Sequence, residues 1–507
     1  MTTRMILMLA AVPLIASDCG GLAGLKLKDT TITAQEVAAG AFAPTSGSAS
    51  LYKDVPAFCR VQGTIKPSAD SDIQFEMWLP ASGWNGRYQG VGNGGFAGSL
   101  GLNLLAAGVR AGYATSTTDT GHKAGVTDGE WALGHYEKIV DFGYRAIHET
   151  ADKSKAIVQA YYGGAAKRSY FSGCSNGGRQ ALLEAQRYPN DYDGIIAGAP
   201  ANFLTHHLSG FVWNAEAVEA APIPPVKMKA IEGAALEACD ALDGVKDGVI
   251  DDPTKCHFDP SKLLCSGAES DACLTEGQVA TLKKIYAGPR NSKGEQIFPG
   301  YLPGGEAGLG GWAAWITGAS PGKSFQFAFA KGFFSDMIFN DANWDFHKFD
   351  FDRDVKITDD KGARIFNATD PNLKAFKDRG GKLLIFHGWS DAAIAPVNTI
   401  NYYESVVSKM GAKQASGFVQ LYMVPGMEHC AGGPGPNEFG ALSPNALDPE
   451  HSMAKSLERW VEDGVAPDKV IAKNAARTRP LCPYPQVAKY KGSGSTDDAA
   501  NFTCAAK

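Results

Sequence analysis

One strand–turn–helix–strand segment constrains the fold of this chain more strongly than any other part of it. Ser169–Ser172 has the composition of a buried strand, the sequence Gly-Cys-Ser-Asn-Gly-Gly at 173–178 is typical of a tight turn, and 179–188 has the pattern of a helix. A second short strand follows at Gly194–Ala197. The turn matches the pattern G-x-S-x-G, whose flanking glycines permit the sharp backbone that exposes a serine hydroxyl. We therefore predict an α/β sheet with an exposed Ser175, although an ordinary glycine turn would show the same short pattern.

The alternation of strands and helices begins at about residue 73 and stops between about residues 201 and 370, where Gly, Pro, Asp and aromatic residues dominate. The alternation then returns with a strand at Lys382–Phe386, a helix at Val397–Met410 and a strand at Val419–Val424. We interpret the interruption as a large lid inserted into one α/β domain. The predicted segments are the first part of the α/β domain at 18–202, the lid at 203–369, and the second part of the α/β domain at 370–507.

The N-terminal residues 1–17 have the features of a signal peptide. Arg4 supplies a positive charge, and the apolar run Met5–Ala16 is too short to span a bilayer and is followed by a small residue. We expect an exported protein, periplasmic or extracellular, without a membrane span. A buried N-terminal helix and a lipoprotein signal with Cys19 as the anchor are the alternatives.

Composition excludes several classes of protein. The 507 residues are 44% hydrophobic and 20% charged, which is too apolar for wholesale disorder. Lys+Arg 48 against Asp+Glu 54 gives a net charge of -6, so there is no broad basic surface for a nucleic-acid partner. No internal repeat is visible in the sequence.

Ten cysteines are an even number, and an oxidising compartment would pair them. Eight lie in couples that are close in sequence, which leaves two that are far apart, although sequence alone does not prove the connectivity and free buried thiols remain the alternative. The local couples are Cys19 with Cys59, Cys239 with Cys256, Cys265 with Cys273, and Cys482 with Cys504; Cys174 and Cys430 remain.

A serine on a G-x-S-x-G turn needs an acid and a histidine, in that chain order, after later strands of an α/β-hydrolase sheet. Asp391 ends an apolar strand that runs into a turn, and His429 follows the next strand. The order Ser175, Asp391, His429 fits. His387 is the rival base, but it precedes the acid within the strand end, so we expect it to line the substrate pocket.

Cys174 immediately precedes Ser175, and Cys430 immediately follows His429. A bridge between these two cysteines would hold the serine and histidine loops in register. With Asp391, these pairs resemble the signature of the tannase and feruloyl esterase family of α/β-hydrolases, a Cys-Ser pair, an Asp and a His-Cys pair joined by a disulfide. The resemblance covers nearly the whole mature chain and extends to its bacterial branch, which includes terephthalate monoester hydrolases.

The resemblance implies a role for each residue of the site. Ser175 would attack an ester carbonyl, His429 would accept its proton, Asp391 would orient the imidazole, and an acyl-enzyme would form. The family places the oxyanion hole at the backbone N–H after the nucleophile and at a glycine of an earlier loop. These are Asn176 and Gly95 here, with Gly94 as the alternative to Gly95.

The expected lid contains a loop with the composition of a calcium site. Three carboxylates are interleaved with glycines at 240–250, in a loop bracketed by Cys239 and Cys256, and hard cations prefer oxygen ligands. A solvated acidic turn has the same composition, but the related family loop implies structural calcium and no organic cofactor. The implied ligands are the side chains of Asp240, Asp243 and Asp247 and the carbonyls of Val245 and Val249.

Twelve aromatic residues lie between Trp312 and Phe351. Most of them would build the lid core, and the remainder would form a slot for a flat acyl ring, with Trp312 and Trp315 as candidate pocket residues. A free carboxylate on that ring would need a cation. Between 201 and 352 the one arginine is Arg290, with Lys323 and Lys331 as weaker substitutes.

These features predict a secreted serine carboxylesterase for esters of aromatic acids of the hydroxycinnamic, feruloyl type. The substrate would be a small aromatic ester, free or attached to plant cell-wall polysaccharide. A tannase-like gallate esterase and a mono(2-hydroxyethyl) terephthalate hydrolase are the alternatives within the enzyme class. A non-catalytic binding protein on a hydrolase fold is the alternative outside it.

Overall fold

A computed structural model describes residues 18–45, 48–442 and 448–506. The predicted signal peptide at 1–17 lies outside the described residues. Thirteen strands are described, nine of them in one sheet. They are β1 (Thr30–Val37), β2 (Phe58–Ile65), β3 (Ile73–Pro80), β4 (Arg87–Val91), β5 (Ala114–Thr118), β6 (Arg168–Cys174), β7 (Gly194–Gly198), β8 (Lys382–Gly388), β9 (Val419–Val424), β10 (Val470–Lys473), β11 (Thr478–Leu481), β12 (Val487–Tyr490) and β13 (Phe502–Ala505).

Fourteen α-helical segments accompany these strands in the described residues. They are α1 (Leu102–Arg110), α2 (Tyr136–Val140), α3 (Ala146–Tyr162), α4 (Asn176–Arg187), α5 (Leu204–Ala220), α6 (Met228–Cys239), α7 (Glu276–Ala287), α8 (Trp312–Trp315), α9 (Phe325–Lys331), α10 (Arg353–Phe366), α11 (Lys374–Asp378), α12 (Pro396–Met410), α13 (Ala412–Ala415) and α14 (Met453–Asp463). None of the described helices is long and apolar enough to cross a membrane.

The large sheet has the strand order β1-β2-β3-β5-β4-β6-β7-β8-β9. β1, β2 and β3 pair antiparallel, as do β3 and β5, whereas β5-β4-β6-β7-β8-β9 pair parallel. The central strands β7 and β8 are buried along nearly their whole length because helices cover both faces. The carboxyl ends of β6, β8 and β9 therefore open on one edge, where ligands of such sheets bind.

The expected lid fills the interval between β7 and β8. It contains α5 to α10, and none of its described residues belongs to a named strand. Its helices enclose a core of their own, in which Trp312 packs with Leu282, Ile285 and Tyr301. The predicted α/β-hydrolase sheet with a large inserted lid is confirmed, and we call residues 203–369 the lid.

Five disulfides join all ten cysteines, and the described residues contain no free cysteine. The four sequence-local couples are bonded, and so are Cys174 and Cys430. The expectation of a disulfide-rich chain is confirmed, and the bridge between Cys174 and Cys430 has the largest sequence separation of the five, 256 residues.

Candidate active site

Ser175 occupies the sharp turn between β6 and α4. Its backbone is in the left-handed half of conformational space, with φ 65° and ψ -123°. The turn is fixed from the sheet side, because the Ser175 N–H donates to the Gly198 carbonyl at 3.0 Å. A Cβ atom at Gly173 would lie 2.5 Å from the Gly177 carbonyl oxygen, so glycine is required there. The predicted strained turn around Ser175 is present.

Asp391 and His429 follow β8 and β9 and meet at the edge of the sheet. His429 Nδ1 lies 2.7 Å from Asp391 Oδ2, and the Asp391 side chain is fully buried. The other carboxylate oxygen, Oδ1, accepts the N–H groups of Ala393 and Ile394, each at 2.8 Å. Burial would raise the pKa of Asp391, but the charge of His429 and hydrogen bonds from His387 and His429 outweigh it and hold the pKa well below its usual value. An ionised Asp391 fixes the Nδ1–H tautomer of His429, which leaves Nε2 able to accept a proton.

His387 lies behind the acid and does not line the substrate cavity, contrary to our expectation. Its ring is fully buried, with Nε2 at 3.1 Å from both Asp391 Oδ2 and the Ile394 carbonyl. Nδ1 lies 2.7 Å from the Thr399 hydroxyl, which donates to it. His387 is therefore a hydrogen-bond donor to Asp391. A histidine at the end of a strand is typical of an exposed position, but here α12 packs over the ring.

The Cys174–Cys430 disulfide joins the residue before Ser175 to the residue after His429. The two Cα atoms are 6.0 Å apart across a sequence separation of 256 residues. His429 Nε2 lies 3.7 Å from Cys430 Sγ. The bridge therefore holds the proton-accepting nitrogen at the same edge as the Ser175 turn.

Asn176 and Gly95 also line the cavity beside Ser175. Asn176 is the first residue of α4, where backbone N–H groups are not used within the helix. Gly95 has φ 55°, and a Cβ there would lie 2.4 Å from the Val126 carbonyl oxygen. The alternative, Gly94, lines the same cavity but has open space at its Cβ position. The need for glycine is thus specific to position 95.

A cavity of about 420 Å³ connects these groups to the lid. Its wall is mostly apolar and aromatic, and none of its described lining residues is Asp, Glu, Lys or Arg. Trp315 belongs to the wall, with its ring centroid 5.2 Å from that of His429. Trp312 does not, because it is 1% exposed and packs in the lid core, so that part of our pocket prediction is wrong. The aromatic wall consists of Phe96, Phe142, Phe211, Trp315, Phe325 and Phe329.

Helix α5 supplies a part of the wall that the sequence did not indicate. Leu204, His207, Leu208 and Phe211 line the cavity from this helix. Their spacing is that of one helical face, but polar and apolar residues are mixed around α5 and both are buried, so the periodicity does not identify the side that faces the cavity. Burial lowers the pKa of His207 to about 4, so this ring is neutral at neutral pH.

The acidic lid loop concentrates negative charge but is internally bonded. Asp240 accepts the Asp247 and Gly248 N–H groups at 3.2 and 3.0 Å, and Asp247 pairs with Arg477 at 2.9 Å. No group of three or more His, Cys, Asp or Glu side chains in the described residues is arranged to hold a metal ion. Asp247 Oδ1, however, is buried without a hydrogen-bond partner. The oxygen chemistry of the loop suits a hard cation, and Asp247 Oδ1 is a buried carboxylate oxygen that such a cation could contact.

The sheet, the Ser175 turn and the Asp391–His429 pair define an α/β-hydrolase. The chain matches the family described as "Tannase and feruloyl esterase" over residues 59–505 and belongs to it. It is 44% identical to an uncharacterized esterase of Xanthomonas campestris, over 96% of this chain and 91% of that protein. It is 35% identical to the mono(2-hydroxyethyl) terephthalate hydrolase of Piscinibacter sakaiensis, over 92% and 87%. The crystal structure of feruloyl esterase B from Aspergillus oryzae matches with a TM-score of 0.87 at 29% identity, over 96% of this chain and 99% of that one.

The chain is therefore a carboxylic ester hydrolase of this family. The resemblance noted in the sequence is confirmed over residues 59–505. The relatives differ in their named substrates, so the family alone leaves the acyl group open.

Proposed function

We propose that this protein is a serine esterase in which Ser175 is the nucleophile. The observation that carries the proposal is the 2.7 Å contact between His429 Nδ1 and Asp391, next to a cavity that Ser175 and His429 both line. This tautomer leaves His429 Nε2 as a base, and no other histidine of the described cavity wall contacts a carboxylate in this way.

The reaction proceeds in two halves with the residues already placed. Ser175 Oγ bonds to the ester carbonyl carbon while its proton passes to His429 Nε2. The carbonyl oxygen becomes an anion that accepts the N–H groups of Asn176 and Gly95. The C–O bond to the alcohol then breaks, and the alcohol leaves with the proton from His429. In the second half, water attacks the acyl-enzyme carbonyl carbon while its proton passes to His429 Nε2. The bond to Ser175 Oγ then breaks, His429 returns the proton to Ser175, and the free acid leaves.

We propose an uncharged aromatic acyl group of the hydroxycinnamic type as the substrate. The cavity volume of about 420 Å³ is in the range of small-ligand sites, and aromatic rings dominate its wall. Arg290, Lys323 and Lys331, the cations considered for binding a ring carboxylate, all lie outside the described wall. A terephthalate monoester would bring its charge into this wall without a partner, at a cost of several kcal/mol. The leaving group is proposed to be a small alcohol or a sugar of a plant cell-wall polysaccharide.

A panel of initial rates tests the acyl group. We expect methyl ferulate to be hydrolysed faster than methyl gallate and much faster than mono(2-hydroxyethyl) terephthalate. A preference for the terephthalate would refute the argument from the uncharged wall, and it would agree with the named activity of the 35% identical relative.

Labelling with a serine-directed fluorophosphonate tests the nucleophile. We expect Ser175→Ala to lose both labelling and turnover. Ser172→Ala is the matched control, because Ser172 also lines the cavity but its hydroxyl accepts from Gln89 at 3.2 Å. Equal labelling of the Ser175→Ala protein would exclude Ser175 as the nucleophile.

We also propose that the lid loop binds a structural calcium ion and that the protein is exported. Asp240, Asp243 and Asp247 with the carbonyls of Val245 and Val249 would hold the ion, and it would stabilise the lid rather than take part in the chemistry. Five disulfides favour an oxidising compartment.

Thermal unfolding with and without calcium tests the metal. Calcium should raise the melting temperature of the wild type and of Asp271→Asn, which changes an exposed lid aspartate. It should not stabilise Asp247→Asn. An unchanged melting temperature after chelation would instead mean that Arg477 and Arg479 alone neutralise the loop.

A further inference from the structure

A buried hydrogen-bond network connects the lid to the loop of the catalytic acid. Gln326, on α9 and 1% exposed, donates from Nε2 to the Ala392 carbonyl at 3.0 Å and to the Tyr301 hydroxyl oxygen at 2.6 Å. The Tyr301 hydroxyl donates to the Ala393 carbonyl at 2.9 Å. His207 Nε2 donates to the same Ala393 carbonyl, also at 2.9 Å. Three lid side chains thus donate to two consecutive carbonyls.

The two carbonyls fix the direction of every hydrogen bond in this network. A carbonyl oxygen only accepts, so the Tyr301 proton points to Ala393, and its oxygen accepts from Gln326. The Gln326 amide nitrogen is then the atom near Ala392, and its oxygen accepts from Asn214 Nδ2 at 2.9 Å. The hydrogen bonds of Gln326, Tyr301 and Asn214 therefore have one consistent arrangement, which restrains these buried side chains.

The same two peptide units hold the catalytic acid from their other side. In the peptide unit between Ala392 and Ala393, the carbonyl oxygen accepts from Gln326 Nε2, and the N–H donates to Asp391 Oδ1 at 2.8 Å. In the next peptide unit, between Ala393 and Ile394, the carbonyl oxygen accepts from the Tyr301 hydroxyl. The Ile394 N–H of this unit donates to the same Oδ1 at 2.8 Å. A peptide unit is planar, so a donor that fixes its oxygen also fixes the direction of its N–H.

We propose that Tyr301 and Gln326 are positioning residues for the catalytic acid. They set the orientation of the two N–H groups that hold Asp391, and Asp391 in turn sets the ring of His429. The lid is then part of the scaffold of the catalytic triad as well as a wall of the substrate cavity. This inference rests on the proposed serine mechanism, but its structural half can be tested without turnover.

Two variants of the network test the proposal. Gln326→Met keeps the size of the side chain but removes both donors, and we expect kcat to fall about 10-fold or more with KM little changed, because the loss is one of alignment. Tyr301→Phe is milder, since His207 still donates to Ala393, and we expect a fall in kcat of about 3-fold. It also keeps the test available if Gln326→Met does not fold.

Tyr162→Phe is the matched control. The Tyr162 hydroxyl is buried and donates to the Pro80 carbonyl at 2.9 Å, the same bond as that of Tyr301, but it lies outside the cavity wall. It should lower the melting temperature as much as Tyr301→Phe does while kcat stays at the wild-type value.

The low-field proton resonance of the His429 Nδ1–H donated to Asp391 gives a readout that lost stability alone does not move. We expect it to shift in Tyr301→Phe and Gln326→Met and not in Tyr162→Phe. An unmoved resonance, or a fall in kcat no larger than that of Tyr162→Phe, would overturn the proposal. A wild-type protein that neither turns over nor reacts with a fluorophosphonate would refute the proposed function instead, and the resonance would still decide this inference.

Discussion

Replacing Cys174 and Cys430 by alanine removes the bridge between the serine and histidine loops. The bridge closes a loop with a sequence separation of 256 residues, and the chain-entropy relation gives it about 5.5 kcal/mol of stabilisation at 25 °C. Freed loops would also let His429 drift relative to Ser175. A displacement of about 1 Å between reacting groups costs about 10²-fold in rate, so we expect kcat to fall by that order.

A second double variant separates stability from catalysis. Cys482 and Cys504 close a loop of separation 22, worth about 3.4 kcal/mol by the same relation, and neither lines the cavity. Alanine at both positions should lower the free energy of unfolding and leave kcat near the wild-type value.

The assay is initial hydrolysis of methyl ferulate, at a temperature where urea unfolding shows each variant to be more than about 99% folded. Rates are divided by the fraction of protein that reacts with a fluorophosphonate. If the Cys174/Cys430 variant then turns over within twofold of the Cys482/Cys504 variant, the bridge contributes stability alone, and the positioning argument is wrong.

Three further predictions concern single side chains. Asp391→Asn should lower kcat about 10⁴-fold, because an amide at this position favours the wrong tautomer of His429. Initial rates of methyl ferulate hydrolysis at saturating substrate measure this change in kcat. Trp315→Ala should raise KM for methyl ferulate about 10-fold, or about 1.4 kcal/mol, through loss of the aromatic wall, with a smaller effect on methyl acetate. Burial raises the pKa of Asp119 to about 7, so the folded chain binds a proton there that the unfolded chain releases above about pH 4. Stability from this group is lost as the pH rises, and urea unfolding should show that Asp119→Asn avoids a loss of about 3 kcal/mol between pH 5 and pH 8.

Strands of the parallel sheet could be predicted closely because they are apolar runs bounded by turns. Val419–Val424 has the predicted bounds in the structure. β8 runs two residues further than predicted, to Gly388, because His387 and Gly388 still pair with β9. In a sequence, a histidine within a strand indicates a surface position. The buried partners of His387, Thr399 and Asp391, become known only from the structure.

Helix α4 shows where local propensity fails. Its first turn contains Gly177 and Gly178, whereas the glycines predicted a turn through Gly178 and a helix that begins at Arg179. A Cβ at Gly178 would lie 2.2 Å from the Gly198 carbonyl oxygen, so the close approach of helix and strand requires glycine within the helix. Packing overrides helix propensity here, and the sequence carries no separate signal for it.

The contact between Asp391 and His429 could be predicted because each residue follows a strand in a recognisable motif, whereas the pocket wall depends on tertiary contacts. Trp312 and Trp315 are the two ends of the short helix α8. One side of that helix packs on the lid core and the other faces His429, and composition does not distinguish the two sides. The same holds for α5, whose apolar surface contacts both the core and the cavity.

The position of the lid in the chain explains why it contacts two of the three loops that carry the proposed triad. The chain leaves the sheet after β7 and returns in β8, so the loop after β8, which carries Asp391, is the first of these loops that it reaches after the lid. The lid also reaches the third loop, because the Gly310 N–H donates to Glu428, the neighbour of His429, at 3.1 Å. Ser175, by contrast, is held by the sheet through Gly198. Displacing the lid would therefore disturb Asp391 and His429, the proposed acid and base, while the Ser175 turn stayed in place. Such a variant should retain the proposed nucleophile and lose the histidine proposed to activate it.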